Sequence, residues 1–193
     1  MNYKIMTFAA LTMLAPVIGA APVQAGFFDF LESNPSAASA DGRPLAVAPQ
    51  REIVSYQGPQ KPGTIVISTQ ERRLYLILPN GQAVRYGVGV GRPGFTWGGV
   101  KTISAKKEWP EWTPPSQMLR RRPDLPRHMA GGIDNPLGAR AMYLGSSLYR
   151  IHGSNEPETI GQAVSSGCIR MTNEDVADLY EHVKVGTKVI IQR

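Results

Sequence analysis

The stretch RIHGSNEPETIGQAVSSGCIRMTNEDV, Arg150 to Val176, holds the only cysteine of the chain, Cys168, sixteen residues after His152, one of three histidines. His152 ends a strand-like segment and Cys168 stands in a glycine-flanked turn, a spacing that permits a thiolate–imidazolium pair. An imidazole within hydrogen-bond reach lowers the pKa of a thiol and makes it a competent acyl acceptor near neutral pH. Gly167 lets the backbone turn sharply before Cys168, so the amides of Gly167 and Cys168 are candidates for an oxyanion site. A metal reading needs three or four ligands at recognisable spacing, and the other histidines, His128 and His182, are distant and in different kinds of segment. Spacing alone leaves nucleophile and buried structural cysteine both open.

Downstream, Thr172-Asn173-Glu174-Asp175 has the form of a capping box. Val176, Leu179, Tyr180 and Val183 then recur at helical spacing, which predicts one apolar face, with Gly186 as the stop. TKVIIQR closes the chain as a strand. Upstream, ETIGQAV after Pro157 is expected to form a short helix, while AMYLG and LYRIHG read as strands. From Thr64, TIVIS and RLYLILP alternate in the manner of strands, and Pro79-Asn80-Gly81 predicts a turn into QAVRYGVGVG. GVGVGRPG looks superficially like a dinucleotide loop, but no strand-to-helix switch with the right glycine spacing follows it. The predicted fold class is β-rich mixed α+β, mostly antiparallel strands with a capped helix after Cys168.

Between Trp109 and Arg140 lies a long proline-broken segment, predicted to be an ordered lid or binding loop. Trp109 and Trp112 are candidates for an aromatic wall over a cleft, with lid packing as the plainer reading. Arg120 to Arg122 and Arg127 offer positive charge, which in a loop is most often simply solvated. Tyr86, Tyr143 and Tyr149 are further cleft candidates among which the sequence does not choose.

The first 25 residues read as a secretory signal peptide, with Lys4, an apolar run from Ile5 to Ala15 and small residues ending at Ala25. Pro16 interrupts the run well short of the about 20 residues that span a bilayer, so no transmembrane anchor is expected in the mature chain. Residues 26–62, rich in Ser, Ala, Pro and Gly, are expected to be a linker or partly ordered arm, and residues 63–193 the single domain. Export sets the lone cysteine apart, because exported domains that use cysteine structurally use it in pairs. Losing Lys4 with the leader takes the formal charge from +6 to +5. That balance suits an anionic envelope polymer; a nucleic-acid partner is disfavoured, since no basic stripe interleaved with aromatics is present.

IHGSNEPETIGQAVSSGCIRM resembles the signature of the L,D-transpeptidase catalytic domain (YkuD-like) family, His-Gly-(Thr/Ser), a gap, then Ser-x-Gly-Cys-(Ile/Val)-Arg. The resemblance implies a cofactor-free cysteine enzyme of the bacterial periplasm or wall compartment, acting on peptidoglycan stem peptides and sensitive to carbapenems. It implies cleavage between the third residue of a tetrapeptide stem and its terminal D-alanine, then transfer of the acyl group to a neighbouring stem. Water as acceptor gives a carboxypeptidase, and an envelope protein as acceptor gives protein anchoring; a non-catalytic wall-binding module is the reading from another class. By the same resemblance Cys168 is the nucleophile, His152 the base, and Gly153 the residue whose carbonyl orients the imidazole. Ser166 and Arg170 flank the nucleophile, Arg170 as a fork for a substrate carboxylate or as the partner of Asp175 or Glu174. Where some members have a second histidine before the glycine, this chain has Ser166.

Overall fold

In the computed structural model, which describes residues 48–193, the segment that carries His152 and Cys168 is built onto one nine-stranded sheet. The predicted leader and residues 26–47 of the predicted linker lie outside the described residues. The remainder of that linker carries β1 (Glu52–Ser55), which forms the outer edge of the sheet by antiparallel pairing with β4 (Gln82–Gly87).

Three short strands begin the core. β2 (Ile65–Ser68) is buried along its whole length, as expected of a central strand with both faces covered. β3 (Arg73–Ile77) pairs with β2 on one side and with β4 on the other. The turn between β3 and β4 lies where Pro79-Asn80-Gly81 predicts it, with Asn80 at φ 62° and Gly81 at φ 70°, and Leu78 N–H closes it onto Gln82 O at 2.8 Å.

β5 (Val90–Gly91) then leaves the main sheet, and the ten-residue β6 (Gly99–Glu108) joins its two halves. The first part of β6 pairs with β11 (Lys188–Gln192), and the second with β7 (Arg140–Leu144). The C-terminal strand is thereby inserted between β2 and β6, running parallel to β2. The sheet continues through β8 (Arg150–His152) to β10 (Ile169–Arg170), giving the order β1-β4-β3-β2-β11-β6-β7-β8-β10. Only β2–β11 and β8–β10 are parallel within it; the other neighbours are antiparallel, as the fold class anticipates.

Helix α2 (Asn173–His182) lies across β7 and β8. Thr172 caps it, its Oγ1 accepting the Asp175 N–H at 3.0 Å, and Val176 and Leu179 are wholly buried on the predicted apolar face. The helix ends at His182, four residues before Gly186. That glycine, at φ 91°, serves the turn into β11, where its N–H bonds Ile103 O at 2.8 Å.

The predicted helix over Glu158–Val164 is not formed. A single 3₁₀ turn at Pro157–Thr159 is followed by Gly161 at φ 84° and then by β9 (Ala163–Ser165), parallel to β5. Val90 and Gly91 offer those residues a strand partner, and pairing with a neighbour outweighs the weak helical preference of so short a segment. Helix α1 (Ser116–Arg121) buries no residue and is the one helix of the proline-broken segment.

Candidate functional site

β8 and β10 are parallel, with Ile151 opposite Ile169 and His152 opposite Arg170. Side chains alternate along a strand, so Arg150 and His152 share one face, while Cys168 and Arg170 have the matching parity on the neighbour. All four line one open cleft of about 630 Å³.

His152 is 4% exposed, and its Nδ1 lies 2.6 Å from the carbonyl oxygen of Gly153. A carbonyl only accepts, so Nδ1 carries the proton and Nε2 is the basic nitrogen. Burial, with Arg170 and Arg150 adding to it against the Gly153 hydrogen bond, lowers the imidazole pKa to about 3. Burial likewise pushes the Cys168 thiol up, opposed by the backbone and side chain of Arg150 and by the charge of Arg170. Both shifts run against the thiolate–imidazolium pair that the spacing permits. Burial disfavours the charged form of each group, while the two guanidiniums oppose an imidazolium and favour a thiolate.

The turn that presents Cys168 is tied from below. Ser165 is 3% exposed; its Oγ donates to Cys168 O at 2.6 Å and accepts the Gly167 N–H at 3.0 Å. Arg92 N–H bonds Ser165 O at 3.0 Å from the neighbouring segment. Gly167 stands at φ 109°, and a Cβ there would meet the Tyr149 ring at 2.5 Å, so both backbone and packing require glycine. Trp97 stacks on Tyr149 with ring centroids 4.4 Å apart and donates its Nε1–H to Gly167 O at 2.8 Å. The expectation that the Gly167 amide serves an oxyanion is corrected by this geometry: that N–H is already held by Ser165.

Arg170 pairs with Glu156, Nη1 to Oε2 at 2.8 Å, and not with Asp175 or Glu174. Asp175 and Asp178 face Arg51 of the N-terminal arm, at 3.7 and 3.1 Å. Trp112 and Ser166 line the cleft with Cys168, whereas Trp109 is not part of its wall and is 46% exposed at the start of the lid. Of the three tyrosines only Tyr149 reaches the cleft; Tyr86 is fully buried and donates to Asp178 Oδ2 at 2.6 Å. Among the described residues no group of acidic, histidine and cysteine side chains is arranged to hold a metal ion.

Several residues of the site escape sequence reasoning. Arg150 reads as an ordinary strand residue, and only the β8–β10 register brings it against Cys168. Ser165 is overshadowed by Ser166 beside it. Asn135, 1% exposed, draws the lid together by donating to the carbonyls of Pro110 and Ala130 and accepting the Leu137 N–H. Asn173 accepts the Ala139 N–H at 2.8 Å, and its Oδ1 leaves no room for a Cβ at Gly138 or Gly153. An Asn flanked by Gly-rich turns and Pro-Leu was the available signal for Asn135; Arg150 had none.

A family model described as the L,D-transpeptidase catalytic domain, YkuD, matches residues 62–191. The probable L,D-transpeptidase ErfK/SrfK of Escherichia coli is 37% identical over 182 residues, which are 86% of this chain and 55% of that protein. This chain thus spans about half the length of that relative. An L,D-transpeptidase structure from Mycobacterium smegmatis matches with a TM-score of 0.55 at 20% identity, covering 67% of this chain and 58% of that one, a likeness of fold. A Brucella melitensis structure described as a probable carnitine operon oxidoreductase is 46% identical, with a TM-score of 0.50, covering 74% of this chain and 93% of that one. In the present chain the glycines that a dinucleotide loop would use are strand residues: Gly87 ends β4, Gly91 ends β5, and Gly89 bridges Arg170. Among the described residues no helix begins before Ser116, so the pyrophosphate-binding strand-to-helix turn is not built there.

Proposed function

We propose, starting from the fact that the chain belongs to the L,D-transpeptidase catalytic-domain family, that it is an exported bacterial enzyme that remodels peptidoglycan by acyl transfer through Cys168. The observation that carries this reading is the shared cleft of Cys168 and His152, with Nδ1 of His152 fixed on Gly153 O and Nε2 left as the base.

The step begins from a neutral thiol and a neutral imidazole. As Sγ attacks the carbonyl of the third stem residue, its proton passes to His152 Nε2, and the imidazolium exists only while charge develops on the carbonyl oxygen. Arg150 and Arg170 stabilise that oxyanion electrostatically, and with the Gly167 amide taken by Ser165 the backbone donor is the Cys168 N–H. Collapse expels the D-alanine amine, which takes the proton from His152 and leaves a thioester on Cys168. The amine of a neighbouring stem then attacks the thioester, giving its proton to His152. The thiolate leaving group recovers a proton from the imidazolium, and a direct cross-link between third residues is released.

The long segment from Trp109 to Met129, folded back on itself by paired Trp112–Met129 hydrogen bonds, walls the cleft and favours an amine over water as acceptor. Intact-mass measurement with a carbapenem tests the thiol. A single-drug adduct on wild type, absent from Cys168→Ala and slowed in His152→Ala, is expected; no adduct on folded wild type would sink the mechanism. Incubation with purified sacculi tests the acceptor, cross-linked dimers supporting transfer and trimmed monomers alone supporting hydrolysis.

A further inference from the structure

Arg92-Pro93-Gly94-Phe95 forms a tight turn: Phe95 N–H bonds Arg92 O at 2.8 Å, and Gly94 is at φ 83°, with proline at the position that favours such a turn. The turn packs on the nucleophile segment, since Phe95 O lies where a Cβ on Gly91 or Gly167 would intrude. The Arg92 guanidinium sits over the Phe95 ring at 4.2 Å from its centroid. A second guanidinium, Arg121 from the last turn of α1, approaches the same ring at 5.6 Å. Arg92, Phe95 and Arg121 all line the cleft of Cys168 and His152.

Among the described residues neither cation has a counter-ion. The other cleft arginines engage acceptors: Arg170 holds Glu156, Arg122 holds Asp124, and Arg150 donates to Leu148 O at 3.1 Å. Arg92 meets only the Ser166 hydroxyl, at a long 3.5 Å, and Arg121 has no polar partner among the described residues. The ring face attracts both cations and keeps their planar forks in place. Two like charges on one ring repel, and an anion between them would turn that repulsion into binding.

We propose that Arg92 and Arg121, held on Phe95, form a carboxylate subsite on the Ser166 side of the nucleophile, so that the preferred acyl donor is a stem peptide with a free carboxylate beside the reacting residue. Amidation of that carboxylate removes the charge and the bidentate acceptor together, and amidated stems are poor donors. The inference rests on the peptidoglycan reading and names the chemical form of its substrate.

The experiment compares two synthetic tetrapeptide donors, alike except that the carboxylate beside the reacting third residue is free in one and amidated in the other. On wild type the free acid is expected to have a kcat/KM on the order of tenfold or more higher, mainly through KM, as for loss of one charge-assisted pair. The preference is expected to shrink with added salt and to vanish in Arg92→Gln/Arg121→Gln, while Arg92→Lys keeps part of it. Equal kcat/KM for the two donors, or an unchanged ratio in the folded double variant, overturns the subsite. Calorimetric binding of both peptides to Cys168→Ala, with and without the two Gln substitutions, separates the two proposals. Tighter binding of the free acid without turnover by wild type keeps the subsite and defeats the transferase reading; no binding preference defeats the subsite whatever the turnover.

Discussion

The segment that carries Cys168 and the segment that covers it are held in opposite ways. Between Ser165 and Met171 four residues are bonded through their backbone to something outside the turn: Arg92 to Ser165, Trp97 to Gly167, Gly89 to Arg170 in both directions, and His152 to Met171. The lid from Trp109 to Ala139 has a helix without buried residues, and its fixed points are the Trp112–Met129 pair and the side chain of Asn135. On the proposed mechanism the reacting atoms sit on a braced platform, and recognition falls to a loop whose order depends on fewer contacts. Perturbing the platform should abolish chemistry, and perturbing the lid should chiefly change what is bound.

The sharpest break of that contrast is Gly167→Ala. The left-handed φ and the Tyr149 ring both oppose a Cβ, so about 2–4 kcal/mol of stability and at least roughly 100-fold in acylation rate should be lost. Calorimetry and adduct kinetics read both quantities; a variant with wild-type acylation would mean that the platform is not rigid.

Asn135→Ala comes next. It strands the buried carbonyl of Pro110 and removes the donor from that of Ala130, which costs about 2 kcal/mol, and it should raise donor KM roughly tenfold while the alkylation rate of Cys168 by iodoacetamide stays near wild type. Equal losses in KM and thiol reactivity would erase the distinction between lid and platform.

A smaller effect is expected behind the platform, where burial raises the Asp175 carboxyl to about 6, against the pull of Arg51. A carboxyl whose folded pKa exceeds its unfolded value of about 3.9 adds stability below that value and loses it as pH rises through 6. His152 acts in the opposite sense, because the unfolded chain takes up its proton below about 6.5 while the folded site stays neutral to about 3. Asp175→Asn should therefore gain on the order of 1 kcal/mol at pH 7.5 and lose stability more steeply than wild type between pH 6 and 4. Parallel stability curves for the two proteins would contradict this assignment.

The least change is expected in the pH profile of catalysis. With His152 neutral throughout, kcat/KM should show no acid limb near 6.5, the ordinary imidazole value. A limb at that position would show a solvated imidazole in the working enzyme and a looser platform than the resting geometry describes.

Much of this molecule is legible before folding. The Pro79-Asn80-Gly81 turn, the Thr172 cap and the apolar face of α2 are local, fixed by a few neighbouring residues, and they stand where pattern places them. The helix expected over Glu158–Val164 failed because its alternative, strand pairing with Val90 and Gly91, is supplied by residues some seventy positions away. The same reason hides Arg150 and displaces the partner of Arg170 from Asp175 to Glu156.

By itself, then, the sequence determined the element types with strong local signals and, through the motif around His152 and Cys168, the family to which the chain belongs. Only the tertiary structure decided the insertion of β11 beside β2, the burial that disfavours charge on Cys168 and His152, and the meeting of two guanidiniums on Phe95. Turns and caps are set by dihedral preferences and hydrogen bonds within a few residues, whereas register, burial and charge environment depend on which distant segments the packed sheet brings together.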